Sequence, residues 1–242
     1  MEWVSGGTGA APAYITTSVT LPAAAAGQNV QFKWRVGSDD NTAPPENPGV
    51  RIDTITLSTV PTLICGGNTA PAPTSAFSRK VHGAAGTFDL GPLPLNVPLT
   101  GAIGIEPRTG VAGEYQIIVN FPSPVTVGGV TVNAGTGSAS RSVAGNVVTI
   151  DLTGVTDQQR LGLTLSSVSD CANIGSVQIP IGMLAGDVNG NNNVSGTDIG
   201  QVKSLVGATI TTGNFRADAA TNGAISASDV GLVKSKSGNT LP

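Results

Sequence analysis

Oxygen-bearing side chains recur at fixed intervals near the end of this 242-residue chain. In GDVNGNNNVSGTDIGQVKSLVG, residues 186–207, Asp187, Asn189, Asn191, Asn193, Ser195 and Asp198 stand at positions 1, 3, 5, 7, 9 and 12 of a loop. A hard cation such as Ca²⁺ takes about 6–8 oxygen ligands at roughly 2.3–2.6 Å, and a twelve-residue loop supplies them at those positions, the seventh through its backbone carbonyl. ADAATNGAISASDVGLVKSKSG, residues 217–238, repeats the pattern as Asp218, Ala220, Asn222, Ala224 (carbonyl), Ser226 and Asp229. Ca²⁺ is the expected cofactor, as one or two ions. Ala220 brings no side-chain oxygen and each loop has only two carboxylates, so the second site is expected to be the weaker.

The elements that must position these groups are a duplicated loop and helix. Every match falls at an offset of 31 residues, through the loop and on to Gly200, Val202, Lys203, Ser204 and Gly207 against Gly231, Val233, Lys234, Ser235 and Gly238. Position 6 needs a sharp, left-handed backbone, which Gly223 provides and Asn192 tolerates. Position 8 is apolar in both copies, Val194 and Ile225, which predicts that the two loops pair around a small core.

The duplication, Asp rather than Glu at the twelfth position, and the NFRAD lead-in at residues 214–218 resemble the type I dockerin, a pair of calcium loop–helix repeats at the ends of secreted bacterial and archaeal proteins. The resemblance covers residues 186–242 and implies a cohesin-like partner. One departure bears on that: the polar pair that receptor-binding members carry just after position 12 is replaced by Ile199–Gly200 and Val230–Gly231.

Composition bounds the rest. Charged residues make up 11% and aromatic residues 4%, with 33 Gly and 16 Pro, which favours short strands and turns over helices. The fold class predicted is mainly β with a small α module at the C-terminus: β-sandwich domains followed by a paired calcium loop–helix, EF-hand-like domain. A net charge of −3 without a basic cluster argues against nucleic acid as a partner. No apolar run reaches the length of a membrane span, so no membrane insertion is expected. The start, MEWVSGGTG, lacks a signal segment, whereas the rest reads as extracellular; the expectation is a mature piece of a longer secreted precursor. Cys65 and Cys171 are too few for a disulfide scaffold, and whether they pair stays open.

Residues 1–62 alternate in places, as in VQFKWRV at 30–36, where Val30, Phe32, Trp34 and Val36 share one face of a half-buried strand. Strands are also read at 14–21 and 50–57. With the Ser-Asp loop and the R-I-D-x-I pattern, this region resembles part of a jelly-roll-like β domain of secreted enzymes. Asp39, Asp40, Glu46 and Asp53 offer oxygens for a further calcium ion, although their spacing fits a solvated acidic loop better. Residues 63–78 read as a Pro/Gly/Thr linker.

Residues 79–185 carry short strand candidates at 86–90, 101–106, 114–121, 125–133, 138–143, 146–152, 161–168 and 176–181, separated by Gly/Pro/Asn turns. RKVHGAAGTFDL and IDLTGVTDQQRLGLTLSSVSD resemble the Ig-like sandwiches that precede dockerin repeats. Residues 183–185 run straight into the repeats, which predicts a snug junction.

No GxSxG, HExxH or phosphate-cradling loop occurs. The one histidine, His82, is expected at the surface or core edge rather than as a general base. The chain is read as non-enzymatic. Three functions are compatible with these features. The first, and the one preferred, is an extracellular calcium-binding structural module that self-assembles as a homo-oligomer, filament or surface layer, through strand addition at an open edge in residues 1–62 and contacts rigidified by calcium at the other end. The second is docking of a larger secreted protein to a cohesin-like partner. The third is a carbohydrate-binding accessory of a secreted hydrolase, which the scarcity of aromatic residues disfavours.

Overall fold

The computed structural model describes residues 69–110 and 113–242, with Val19, Leu21, Ala25, residues 30–34 and Ile55. The chain divides into two compact units, residues 1–58 and 59–242. The second unit is built on strands, some of them the alternating apolar stretches and others of small or polar residues. These are β1 (Ser75–Val81), β2 (Thr87–Leu90), β3 (Gly104–Glu106), β4 (Tyr115–Asn120), β5 (Gly129–Ala134), β6 (Ser138–Ala144), β7 (Val147–Thr153), β8 (Gln159–Ser169) and β9 (Ile174–Met183). One sheet has the order β2-β1-β4-β7-β6, the other β3-β9-β8-β5.

Register explains the core. β4 and β7 run antiparallel with Ile117 opposite Ile150 and Val119 opposite Val148, and all four side chains are fully buried. In the other sheet Leu161, Leu163 and Leu165 of β8 lie opposite Ile181, Ile179 and Val177 of β9, and these too are buried. Directly opposed apolar pairs on one face are what stabilise a sheet and hold its register. The inward faces of the two sheets share one apolar cluster.

Several boundaries differ from those read in the sequence. The linker expected up to residue 78 ends sooner, because β1 begins at Ser75. Its inward residues include Ala76 and Ser78, both buried, and such small side chains give no hydrophobic periodicity to read. The strand expected at 101–106 is limited to Gly104–Glu106, which pairs in parallel with β9. The strand expected from residue 125 begins at Gly129, with Thr126 forming a separate bridge to Ser169.

The half-buried strand expected over 30–36 is corrected where it is described. Residues 30–34 carry no strand, and Val30, Phe32 and Trp34 are exposed. Alternation marks which face a strand would bury, and does not by itself make a strand. The rest of the jelly-roll-like region, the acidic group Asp39, Asp40, Glu46 and Asp53, and Cys65 lie outside the described residues. Cys171 is exposed, with a positive φ of 73°.

After β9 the chain enters the repeats without a break. Leu184 and Ala185 are buried, and the backbone N–H groups of Leu184 and Gly186 donate to the carbonyls of Glu106 and Pro107. Two helices follow, α1 (Gly196–Ser204) and α2 (Ala227–Ser235). Val188, Val194, Val202, Phe215, Ile225, Val233 and Leu241 belong to the same apolar cluster as the sandwich core. Leu241 packs on Gly182 of β9, where a Cβ would meet its Cδ2 at 2.8 Å. The expected snug junction is thus a shared core.

Candidate metal centre

In the first loop Asp187 and Asp198 are fully buried. Backbone N–H groups hold both carboxylates. Gly190 and Asn191 donate to Asp187 Oδ1 at 2.8 and 3.1 Å, and Asn192 donates to Oδ2 at 2.8 Å. Asn189 and Ser195 donate their N–H groups to Asp198 at 3.2 and 2.9 Å. The Asn189 and Asn191 side-chain oxygens each accept from the N–H two residues on, at 3.0 Å. Asn193 forms a backbone bridge with Thr240. Ser195 is the N-cap of α1: its hydroxyl accepts from Thr197 N–H, and Asp198 answers the Ser195 N–H to close a capping box.

The second loop repeats this frame with substitutions. Asp218 and Asp229 are fully buried. Asn222 and Gly223 donate their N–H groups to Asp218 at 3.1 and 3.0 Å; Ala220 and Ser226 donate to Asp229 at 3.0 and 2.9 Å. The Asn222 side-chain oxygen accepts from Ala224 N–H at 3.0 Å, and Ser226 caps α2 as Ser195 caps α1. Both sixth positions have the expected left-handed backbone, Asn192 at φ 68° and Gly223 at φ 92°.

The loop pairing predicted from position 8 is corrected. Val194 and Ile225 are buried, but each bonds to the turn that ends the other repeat's helix. Gly238 N–H donates to the Val194 carbonyl and Gly207 N–H to the Ile225 carbonyl, both at 2.9 Å. The two bonds are related by the same 31-residue offset, so the repeats clasp each other symmetrically. Arg216, just before the second loop, reaches back to the first, donating to the carbonyls of Val188 at 2.7 Å and Asp187 at 3.2 Å.

His82 is not at the surface or core edge; it is fully buried. It sits at the tip of the β1–β2 hairpin, and its Nδ1 lies 2.9 Å from Asp218 Oδ2. Its Nε2 lies 3.3 Å from Arg108 Nη1. An arginine nitrogen only donates, so Nε2 accepts and the ring proton resides on Nδ1, which donates to Asp218. Arg108, also fully buried, donates to both Glu106 carboxylate oxygens at 2.7 Å and to the carbonyls of Ser78 and Phe88 at 2.8 and 3.0 Å. Ser78 Oγ donates to Glu106 as well. Phe215 stacks on Phe88 with ring centroids 5.5 Å apart, and the His82 ring meets both edge-on.

Glu106, Arg108, Arg216 and the role of His82 were not found from the sequence. The signal available was an acidic and a basic residue two apart in a chain with few charges, followed far downstream by repeats lacking one ligand.

Burial works against the charge of both first-position carboxylates, yet their net shifts are opposite. Burial raises the Asp187 pKa above the usual carboxylate value, three backbone N–H bonds oppose this only in part, and the charge of Asp198 adds to the rise. Burial also works against the charge on Asp218, but the bond from His82 and the N–H groups of Gly223 and Asn222 outweigh it, so its pKa is lowered.

Each loop thus holds two buried carboxylates, and the side-chain oxygens of Asn189 and Asn191 in the first and of Asn222 in the second accept from the loop's own backbone. Among the described residues no three His, Cys, Asp or Glu side chains cluster. The donor set is hard oxygen throughout, and two like charges buried in one loop call for a compensating cation. The residues present fit Ca²⁺ in the first loop, and in the second with one fewer side-chain oxygen. Residues 185–236 match the family model of the Dockerin type I domain. Comparisons with curated proteins and with solved structures returned no match.

Proposed function

We propose that the C-terminal repeats form a calcium-binding docking module, that its partner is a cohesin-like domain, and that the chain acts outside the cell without catalysing a reaction. The observation that carries this reading is the dockerin match falling on loops whose four carboxylates are all buried. Bound Ca²⁺ would neutralise each carboxylate pair and stiffen its loop. Asp187, Asn189, Asn191, the Asn193 carbonyl, Ser195 and Asp198 would hold one ion; Asp218, Asn222, the Ala224 carbonyl, Ser226 and Asp229 a second. Ser195 and Ser226 also start α1 and α2 at the loop ends.

Ile199 and Val230 are partly buried against the core, as their apolar character suggested. The surfaces left for a partner are therefore Thr197, Gly200, Lys203 and Ser204 on α1, and Ser228, Gly231, Lys234 and Ser235 on α2, all exposed. The absence of a catalytic role is supported by His82, whose two ring nitrogens are both engaged in a fully buried site. No helix of the described residues is long and apolar enough to cross a membrane. The filament reading drew on residues 1–62, and no observation in the described residues advances it.

Immobilised cohesin domains of several types test the proposal. Calcium-dependent capture of the full chain, lost in EGTA and weakened by Lys203→Glu with Lys234→Glu, is expected. Failure of every cohesin to bind in saturating calcium overturns the docking reading.

A further inference from the structure

We propose that the β-sandwich is part of the second loop's cation site, with His82 as a positioning residue that holds the Asp218 carboxylate in place for the ion. The inference rests on the calcium reading above and concerns how the weaker loop is made competent.

Comparison of the two loops carries the argument. Asp187 accepts three N–H bonds from its own loop, from Gly190, Asn191 and Asn192. Asp218 accepts only two from its loop, from Asn222 and Gly223. At the place of Gly190 stands Thr221, whose N–H donates instead to the Asp218 backbone carbonyl at 3.2 Å. The third donor to the second carboxylate is His82, from a hairpin 136 residues away in sequence. The loop with Ala220 in place of a third-position oxygen is also the loop that borrows a donor.

The supporting groups are fixed at both ends. Behind His82, Arg108 and Glu106 form a fully buried chain, so the ring has no freedom to turn away. Beside it, the hairpin backbone lies directly on the loop: a Cβ on Gly83 would stand 2.5 Å from the Asn222 carbonyl oxygen, and one on Gly223 would stand 3.0 Å from the His82 carbonyl oxygen. On the far side, Thr109 donates its N–H and its hydroxyl to the Ala219 carbonyl at 2.8 and 3.1 Å. The first loop's carboxylates take no side-chain bond from the sandwich among the described residues. Groups that hold a metal-binding side chain in one orientation commonly change metal affinity about tenfold to a hundredfold when removed.

The chain has one histidine, so a ¹⁵N-labelled, untagged full chain gives a single set of imidazole signals. Calcium chloride is titrated into chelator-treated protein, and into Asp198→Ala and Asp229→Ala variants that disable one loop each without touching His82. The ring signals are expected to move in the unsubstituted chain and in Asp198→Ala, and to stay fixed in Asp229→Ala. His82→Gln in the Asp198→Ala background is expected to weaken calcium binding about tenfold to a hundredfold, and to leave the first loop unchanged in the Asp229→Ala background. Should His82→Gln fail to fold, the ring titration decides alone. Amides of residues 218–229 that respond while the ring does not, or a folded His82→Gln protein that binds as tightly, overturn this inference only. No response to calcium in either loop overturns it together with the calcium reading.

Discussion

Arg108 and Glu106 form a two-pronged ion pair, Nε to Oε1 and Nη2 to Oε2 both at 2.7 Å, with neither side chain exposed. The pair brackets Pro107, and the Glu106 and Pro107 carbonyls between its two side chains receive the N–H groups of Leu184 and Gly186 at the start of the repeats. Taking one partner away leaves the other charge buried and unpaired, which costs about 3–5 kcal/mol. Arg108→Met is expected to lower unfolding free energy by that amount in urea titrations, and Arg108→Met with Glu106→Gln to recover much of it. A loss under about 1 kcal/mol for the single variant would contradict the pairing.

The same pair sets an acid limit. Burial alone would raise the Glu106 pKa, but the charge and hydrogen bonds of Arg108, with the Ser78 hydroxyl, hold it below the ordinary carboxylate value. A lowered folded-state pKa stabilises the fold above the unfolded value of about 4.3, and that contribution disappears as pH falls through the folded value. Stability should therefore drop below about pH 4.3. Glu106→Gln should be less stable at neutral pH and show a shallower acid slope in thermal melts from pH 7 to 3. An unchanged slope would assign the acid sensitivity elsewhere.

Gly83 and Gly145 separate backbone conformation from contact. Both have positive φ, 47° and 60°, but a Cβ on Gly145 meets nothing within 4 Å, whereas one on Gly83 collides with the Asn222 carbonyl. Gly145→Ala should cost about 1–2 kcal/mol, the ordinary price of a left-handed alanine. Gly83→Ala should cost more and should also disturb the second loop's amide signals. Equal losses would mean the hairpin is not seated on the loop.

Gly200 and Gly231 lie inside α1 and α2, exposed, with open space where a Cβ would stand. Glycine inside a helix costs about 0.8–1 kcal/mol relative to alanine. Gly200→Ala and Gly231→Ala should each raise stability by about that much in calcium, measured by calorimetric melts. Destabilisation by either would point to a role for these glycines within the fold.

The repeats were legible because their ligands are local: a loop with fixed positions writes its chemistry into consecutive residues, and the duplication confirms the register. The strands with large apolar side chains, such as Ile117, Val119, Ile150 and Leu152, were legible for the same reason. β1 was not, since Ala76 and Ser78 give no apolar rhythm. His82 was misjudged because its partners, Asp218 and Arg108, are brought to it by the shared core and not by sequence neighbourhood. The pairing of Val194 and Ile225 failed on a similar point: position 8 showed which residues are buried, but which backbone each would meet depended on how the two repeats clasp.

Calorimetric titration of Ca²⁺ into the chelator-treated full chain tests the central claim most directly. The account predicts a binding isotherm with a tighter and a weaker component, the tighter lost in Asp198→Ala, the weaker in Asp229→Ala, and both in the double variant. A flat isotherm in the unsubstituted chain, or binding that survives in the double variant, would contradict it.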